Sequence, residues 1–218
     1  MRGAVVLDVN ETLFSLDALD PVFAGVDLRG QRDLWFARTL RNGFALTCAG
    51  IYRPFPDVAR GAFLSLAPDR LSDSDADELL AAFGELTPHP EVPEALEALR
   101  SSGRSVVTLS VGNAANVEKL FRNSGMSELV THHLSCEAVQ KWKPAPDPYL
   151  YACREVGAVT ADTWMVAAHS WDLTGARAVG MQTAWLSRLE GRLDPAFGAP
   201  DVEGLDLRDV ITQVIELG

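Results

Sequence analysis

Four short runs of β-branched and apolar residues lead into clusters of polar side chains, and this pairing constrains the fold more than any other feature. Ala4-Val5-Val6-Leu7 runs into Asp8-Val9-Asn10-Glu11-Thr12, and residues 105–109 run into Ser110-Val111-Gly112-Asn113. Residues 129–134, a weaker run, come before Lys143-Pro144, and residues 163–167 come before His169-Ser170-Trp171-Asp172. Residues 183–186 form a fifth apolar run. Such unpunctuated runs suit strands buried on both faces, as in parallel sheets. Between them lie helix-spaced apolar stripes at 91–100, 116–121, 146–156 and 172–179, stopping near Gly103, Gly125, Gly157 and Gly180. Strands alternating with helices predict an α/β chain with a doubly wound parallel, Rossmann-like sheet. The carboxyl ends of parallel strands share one edge, so the polar clusters are expected to meet there.

Residues 15–88 break the alternation. They show helical segments near 29–47, 56–67 and 73–84 and no convincing strand, which predicts an inserted helical cap domain over the strand ends. The core domain is then 1–14 with 89–218, including a last helix near 206–217. The acidic run from Asp73 to Glu78 suits a solvated first helical turn, where the macrodipole favours negative charge.

The 218 residues are 47% apolar, enough for a sizeable core. A net charge of −11 argues against nucleic acid or an anionic membrane as partner. Three scattered cysteines, Cys48, Cys136 and Cys153, suggest buried thiols in a reducing compartment. No run has the length of a membrane span, and the expected location is cytoplasmic.

One edge then holds two carboxylates (Asp8, Asp172), an ammonium (Lys143) and two hydroxyls (Thr12, Ser110). That set suits covalent catalysis by a carboxylate. Lys143 would keep Asp8 ionised, Thr12 and Ser110 would donate hydrogen bonds, and Asp172 would hold Lys143. Each has a plainer alternative: Thr12, Ser110 and Asp172 suit helix caps, Lys143 a solvated surface, and Tyr149 a core aromatic. His132-His133 sits in a strand pattern and reads as structural.

Asp8-x-x-x-Thr12-Leu13, Ser110, Lys143-Pro144 and Trp171-Asp172-Leu173-Thr174-Gly175-Ala176, in this order, resemble the haloacid-dehalogenase superfamily. Residues 141–181 look most like its type II group, the (S)-2-haloacid dehalogenases. The resemblance implies a core with a helical cap and Asp8 as nucleophile. Thr12, Ser110, Lys143, Tyr149 and Asp172 would surround it, Asn10 and Trp171 would line the pocket, and a homodimer is possible. It implies no cofactor and a small anionic substrate, most simply a carboxylate such as a 2-haloalkanoate. Halide would leave C2, and water would then open the Asp8 ester.

The match has gaps. Superfamily phosphatases place an acid where Asn10 stands and a magnesium ligand where Ala168 stands. An amide transfers no proton near neutrality, so a metal-independent hydrolase is expected rather than a magnesium-dependent phosphatase. Glu11, if turned inward, would supply an acid. The dehalogenases carry a halide-cradling arginine where Phe36 stands, and asparagines where Val111 and His169 stand. Each such donor is worth about 2–4 kcal/mol by analogy with oxyanion holes. Arg32, one helical turn before Phe36, or His169 would replace them. A catalytically silent binding protein with this fold is the remaining alternative.

Overall fold

The structure is a computed structural model that describes residues 3–217. The first strand, β1 (Ala4–Leu7), is fully buried and pairs in parallel on both sides. The chain then leaves through a short strand, β2 (Phe14–Ser15), and returns through β3 (Thr87–Pro88), which pairs with it antiparallel. This two-stranded hinge corrects the expectation that 15–88 holds no strand. The pair is too short for any periodicity to register in sequence.

Between the hinge strands lie α1 (Asp20–Gly25), α2 (Arg32–Cys48), α3 (Phe55–Leu64) and α4 (Asp73–Ala82). Ser72 and Asp75 close α4 with a capping box, so the acidic run does begin a helix. Phe23, Trp35 and Phe63 join edge-to-face and tilted in the apolar centre of this segment. Cys48 ends α2 exposed, whereas Cys136 and Cys153 are buried; the expectation of three buried thiols fails at Cys48.

The chain then alternates α5 (Val92–Ser101), β4 (Ser105–Ser110), α6 (Ala114–Asn123), β5 (His132–Ser135), α7 (Pro146–Val156), β6 (Thr163–Ala167), α8 (Ser170–Ala178) and β7 (Gln182–Leu186). It closes with β8 (Val202–Gly204) and α9 (Leu207–Glu216). The six strands lie in the order β5-β4-β1-β6-β7-β8, all parallel. β5 starts later than the apolar run suggests, because His132 and not Leu129 takes up the register with β4. β8 escapes a reading by pattern, being a three-residue edge strand with an exposed Glu203 at its centre.

Alternate residues of β1 face opposite layers. Val5 and Leu7 pack with Leu96 and Leu99 of α5 and Val210 of α9. Val6 packs with Tyr149 and Ala152 of α7 and Leu173 of α8. Each such side chain contributes about 1.5–3 kcal/mol through burial. This two-sided burial is why the strands are apolar without alternation. Among the described residues, no helix is long and apolar enough to cross a membrane.

Candidate active site

The carboxyl end of β1 is pinned before any chemistry is considered. Asp8 N donates to Val166 O at 3.0 Å, while Leu13 N and Phe14 N both donate to Val9 O. The loop closes with Glu11 in the left-handed region at φ 60°. Thr12 Oγ1 then accepts from Ala168 N at 3.0 Å and donates to Asp8 Oδ2 at 2.8 Å. One hydroxyl thus ties the ends of β1 and β6 together and fixes the carboxylate.

Lys143 reaches the same carboxylate from the loop after β5. That loop is held from α2 and the turn after it: Trp142 N donates to Thr47 Oγ1 at 3.2 Å and Trp142 Nε1 to Arg53 O at 2.9 Å. Gly43 lets α2 lie against the indole, because a Cβ there would sit 2.2 Å from a Trp142 ring carbon. Lys143 Nζ, fully buried, lies 3.1 Å from Asp8 Oδ1 and 2.8 Å from Asp172 Oδ2. Tyr149 Oη donates to Asp172 Oδ1 at 2.5 Å. His169 Nδ1 lies 3.2 Å from Asp8 Oδ2. His169 precedes the first turn of α8 without capping it through its side chain, which leaves the ring free to face Asp8.

Two carboxylates around one ammonium titrate apart. Burial works against the charge of Asp8, but Lys143, His169 and Thr12 outweigh it and hold the pKa well below the usual carboxylate range. Burial pushes Asp172 up and the charge on Asp8 adds to this, despite Lys143. Burial opposes the charge on Lys143 as well, but both carboxylates together raise its pKa. His169 follows the same logic: burial lowers it, and Asp8 raises it above its ordinary value. The resting site is an ionised Asp8 held by the Lys143 ammonium at one oxygen and by Thr12 and His169 at the other.

A family model described as haloacid dehalogenase-like hydrolase matches residues 3–180. The chain belongs to this family. It is 30% identical over 187 residues to (S)-2-haloacid dehalogenase 4A of Burkholderia cepacia, covering 84% of this chain and 78% of the relative. It is 26% identical over 219 residues to haloacetate dehalogenase H-2 of Moraxella sp. (strain B), covering 97% of each. A solved L-2-haloacid dehalogenase superposes with a TM-score of 0.89 at 31% identity, covering 98% of both chains.

Within this haloacid dehalogenase-like chain, the donor set does not fit magnesium. The ion prefers six oxygens in a tight octahedron. Here Lys143 stands between the two carboxylates, Thr12 and His169 engage the remaining oxygen of Asp8, and Ala168 offers no side-chain ligand.

The remaining expectations divide. Asn10, buried, bridges to Phe14 and has its place in the loop. Phe36 and Trp171 flank His169, with ring centroids 6.2 and 5.2 Å from the imidazole. Ser110 is buried, but its Oγ accepts from Gly112 N and makes no bond to Asp8; Val111 is buried beside it. Asp172 is not a helix cap, since Lys143 and Tyr149 take its oxygens. Glu11 does not supply an acid to Asp8, because its Oε1 accepts from Leu16 N. Arg32 is the clear correction. It pairs with Asp17 at 2.5 Å, Asp20 at 3.1 Å and Asp33 at 3.1 Å, and no bond joins it to Asp8 or His169. Three nearby carboxylates outcompete any distant anion for one guanidinium.

Two contributors were missed. Glu190, in the loop after β7, accepts from Ser170 N at 3.1 Å and from Ser170 Oγ at 3.1 Å, fixing the start of α8. The signal was a carboxylate shortly after the apolar run at 183–186, in a loop with no apolar period. Cys136 lies near Lys143, its thiol pushed by burial up to about 12 and therefore neutral.

Proposed function

We propose that Asp8 displaces halide from C2 of a short 2-haloalkanoate without a metal. A carboxylate oxygen of Asp8 attacks C2 from the side opposite the halogen, and the carbon–halogen electron pair leaves with the halide. The ester joins C2 to Asp8. Water then attacks the ester carbonyl of Asp8, so the 2-hydroxyacid departs with C2 inverted. Lys143 keeps Asp8 ionised and Thr12 aims it. Tyr149 holds Asp172, Asp172 holds the Lys143 ammonium, and Asp172, the more basic carboxylate, helps orient the water. Asn10, Ser110, Val111, Phe36, His169 and Trp171 wall the pocket.

The observation that supports this reading is the buried carboxylate of Asp8 held ionised by a buried lysine. A buried anion costs several kcal/mol unless paired, and here it is paired yet keeps a face toward the His169 ring. The names of the relatives, (S)-2-haloacid and haloacetate dehalogenases, point to the same substrates. The test is chloride or bromide release from a panel of haloacetates and 2-halopropanoates. Release by the native enzyme, abolished in Asp8→Asn, supports the proposal. No release from any member, with no adduct on Asp8 by intact mass, overturns it.

A further inference from the structure

His169, between β6 and α8, sits buried against Asp8. Its Nδ1 is bonded to Asp8 Oδ2, and no described residue bonds its Nε2. Phe36 and Trp171 flank the ring and offer no ionisable group. The charged groups that face the imidazole are Asp8, Asp172 and Glu190, with Glu11 nearby on the β1 loop; all four are carboxylates. Lys143 is taken up by the other oxygen of Asp8 and by Asp172. These carboxylates raise the proton affinity of the imidazole above its ordinary value, against the effect of burial.

A departing halide needs no proton. It is a weak base and leaves as an anion, so polar donors are sufficient, and an amide provides them as well as an imidazole. A general acid matters when the leaving atom is strongly basic, as an alkoxide is. An alkoxide departs from saturated carbon under carboxylate attack only if it is protonated and the bond is strained. A three-membered cyclic ether meets both conditions.

We propose that this site also opens small epoxy acids, with His169 as the residue that protonates the ring oxygen. The proposal rests on the covalent role of Asp8 given above. Asp8 attacks one ring carbon, the carbon–oxygen bond breaks, and the oxygen takes the imidazolium proton to become a hydroxyl. Neutral His169 then accepts a proton from water as that water adds to the ester carbonyl. The tetrahedral intermediate expels the product alkoxide, which takes the carboxyl proton of Asp8. Ionised Asp8, protonated His169 and a vicinal diol result, with one water consumed.

The probe is glycidate, which has the three-carbon acid skeleton of 2-chloropropanoate. Glycerate formation and chloride release are measured for native enzyme, His169→Asn, His169→Gln and Asp8→Asn. Native enzyme is expected to form glycerate, and Asp8→Asn to form none. Both His169 variants should lose about 100-fold more glycerate formation than chloride release. In native enzyme, glycerate formation should fall as pH rises through the titration of His169, with chloride release lacking that limb. Chloride release without glycerate overturns this inference alone. Equal losses in the two reactions also overturn it, leaving His169 a positioning residue. Neither product, with no adduct on Asp8, removes the covalent reading and this inference with it.

Discussion

Lys143 donates to Asp172 across 2.8 Å, and neither side chain has any exposure to solvent. The same ammonium serves Asp8 at 3.1 Å, so two buried carboxylates share one cation. His169 meets the other oxygen of Asp8 at 3.2 Å, and Asp8 raises its pKa above the ordinary value.

Removing the ammonium leaves two buried carboxylates facing one another. Lys143→Met should destabilise the fold by about 3–5 kcal/mol, the usual consequence of stripping one partner from a buried ion pair. Urea unfolding reads this as a lowered midpoint at unchanged slope. Halide release should vanish as well, because Asp8 and Asp172 would then share a proton. A loss below about 1 kcal/mol would show the pair to be solvated.

Gly175 in α8 is where helix, loop and tyrosine meet. A Cβ there would lie 2.6 Å from Pro144 O and 2.6 Å from Tyr149 Cε2. Gly175→Ala should cost about 1–3 kcal/mol by overpacking. It should also reduce halide release by moving Tyr149 from Asp172. Gly61→Ala is the control: nothing lies within 4 Å of its added Cβ. There, in the interior of α3, the change should stabilise by about 0.5–1 kcal/mol. Thermal unfolding and halide assays distinguish the two.

The raised pKa of His169 makes stability depend on pH. A base whose folded pKa exceeds its unfolded value contributes fully below the unfolded value and loses that contribution as pH rises through the folded one. The unfolded value is the ordinary 6.5. The stability difference between native protein and His169→Gln should therefore be greatest below pH 6.5 and shrink as pH rises above it. His89 and His133, whose pKa values burial lowers, slope the opposite way in both proteins and cancel in the difference. Urea unfolding across this range measures it, and a flat difference would deny the Asp8–His169 pairing.

The convergence of Asp8, Lys143 and Asp172 was legible because strand ends of a parallel sheet share an edge. Asp8 and Asp172 follow runs whose apolar character reports two-sided burial, whereas Lys143 follows the weaker edge strand β5. Thr12 was legible by spacing, and its double role between Asp8 and Ala168 needed coordinates of both strands. Arg32 was misplaced because helical spacing says which face a residue shares, not which local anions capture it. Asp17 and Asp20 lie on a turn and short helix that no pattern announced. Glu190 was missed for a related reason, since a loop carboxylate has no period. The hinge strands and β8 are too short to carry a signal.

The covalent role of Asp8 is tested most directly by a single turnover of 2-chloropropanoate with enzyme in excess, in water enriched in ¹⁸O. Mass analysis of the peptide containing Asp8 then reads where the heavy oxygen went. Attack of water on the ester carbonyl predicts one heavy oxygen in Asp8, with the first product molecule unlabelled. Label in the product and none in Asp8 would mean that water displaced the halide itself, contradicting the account.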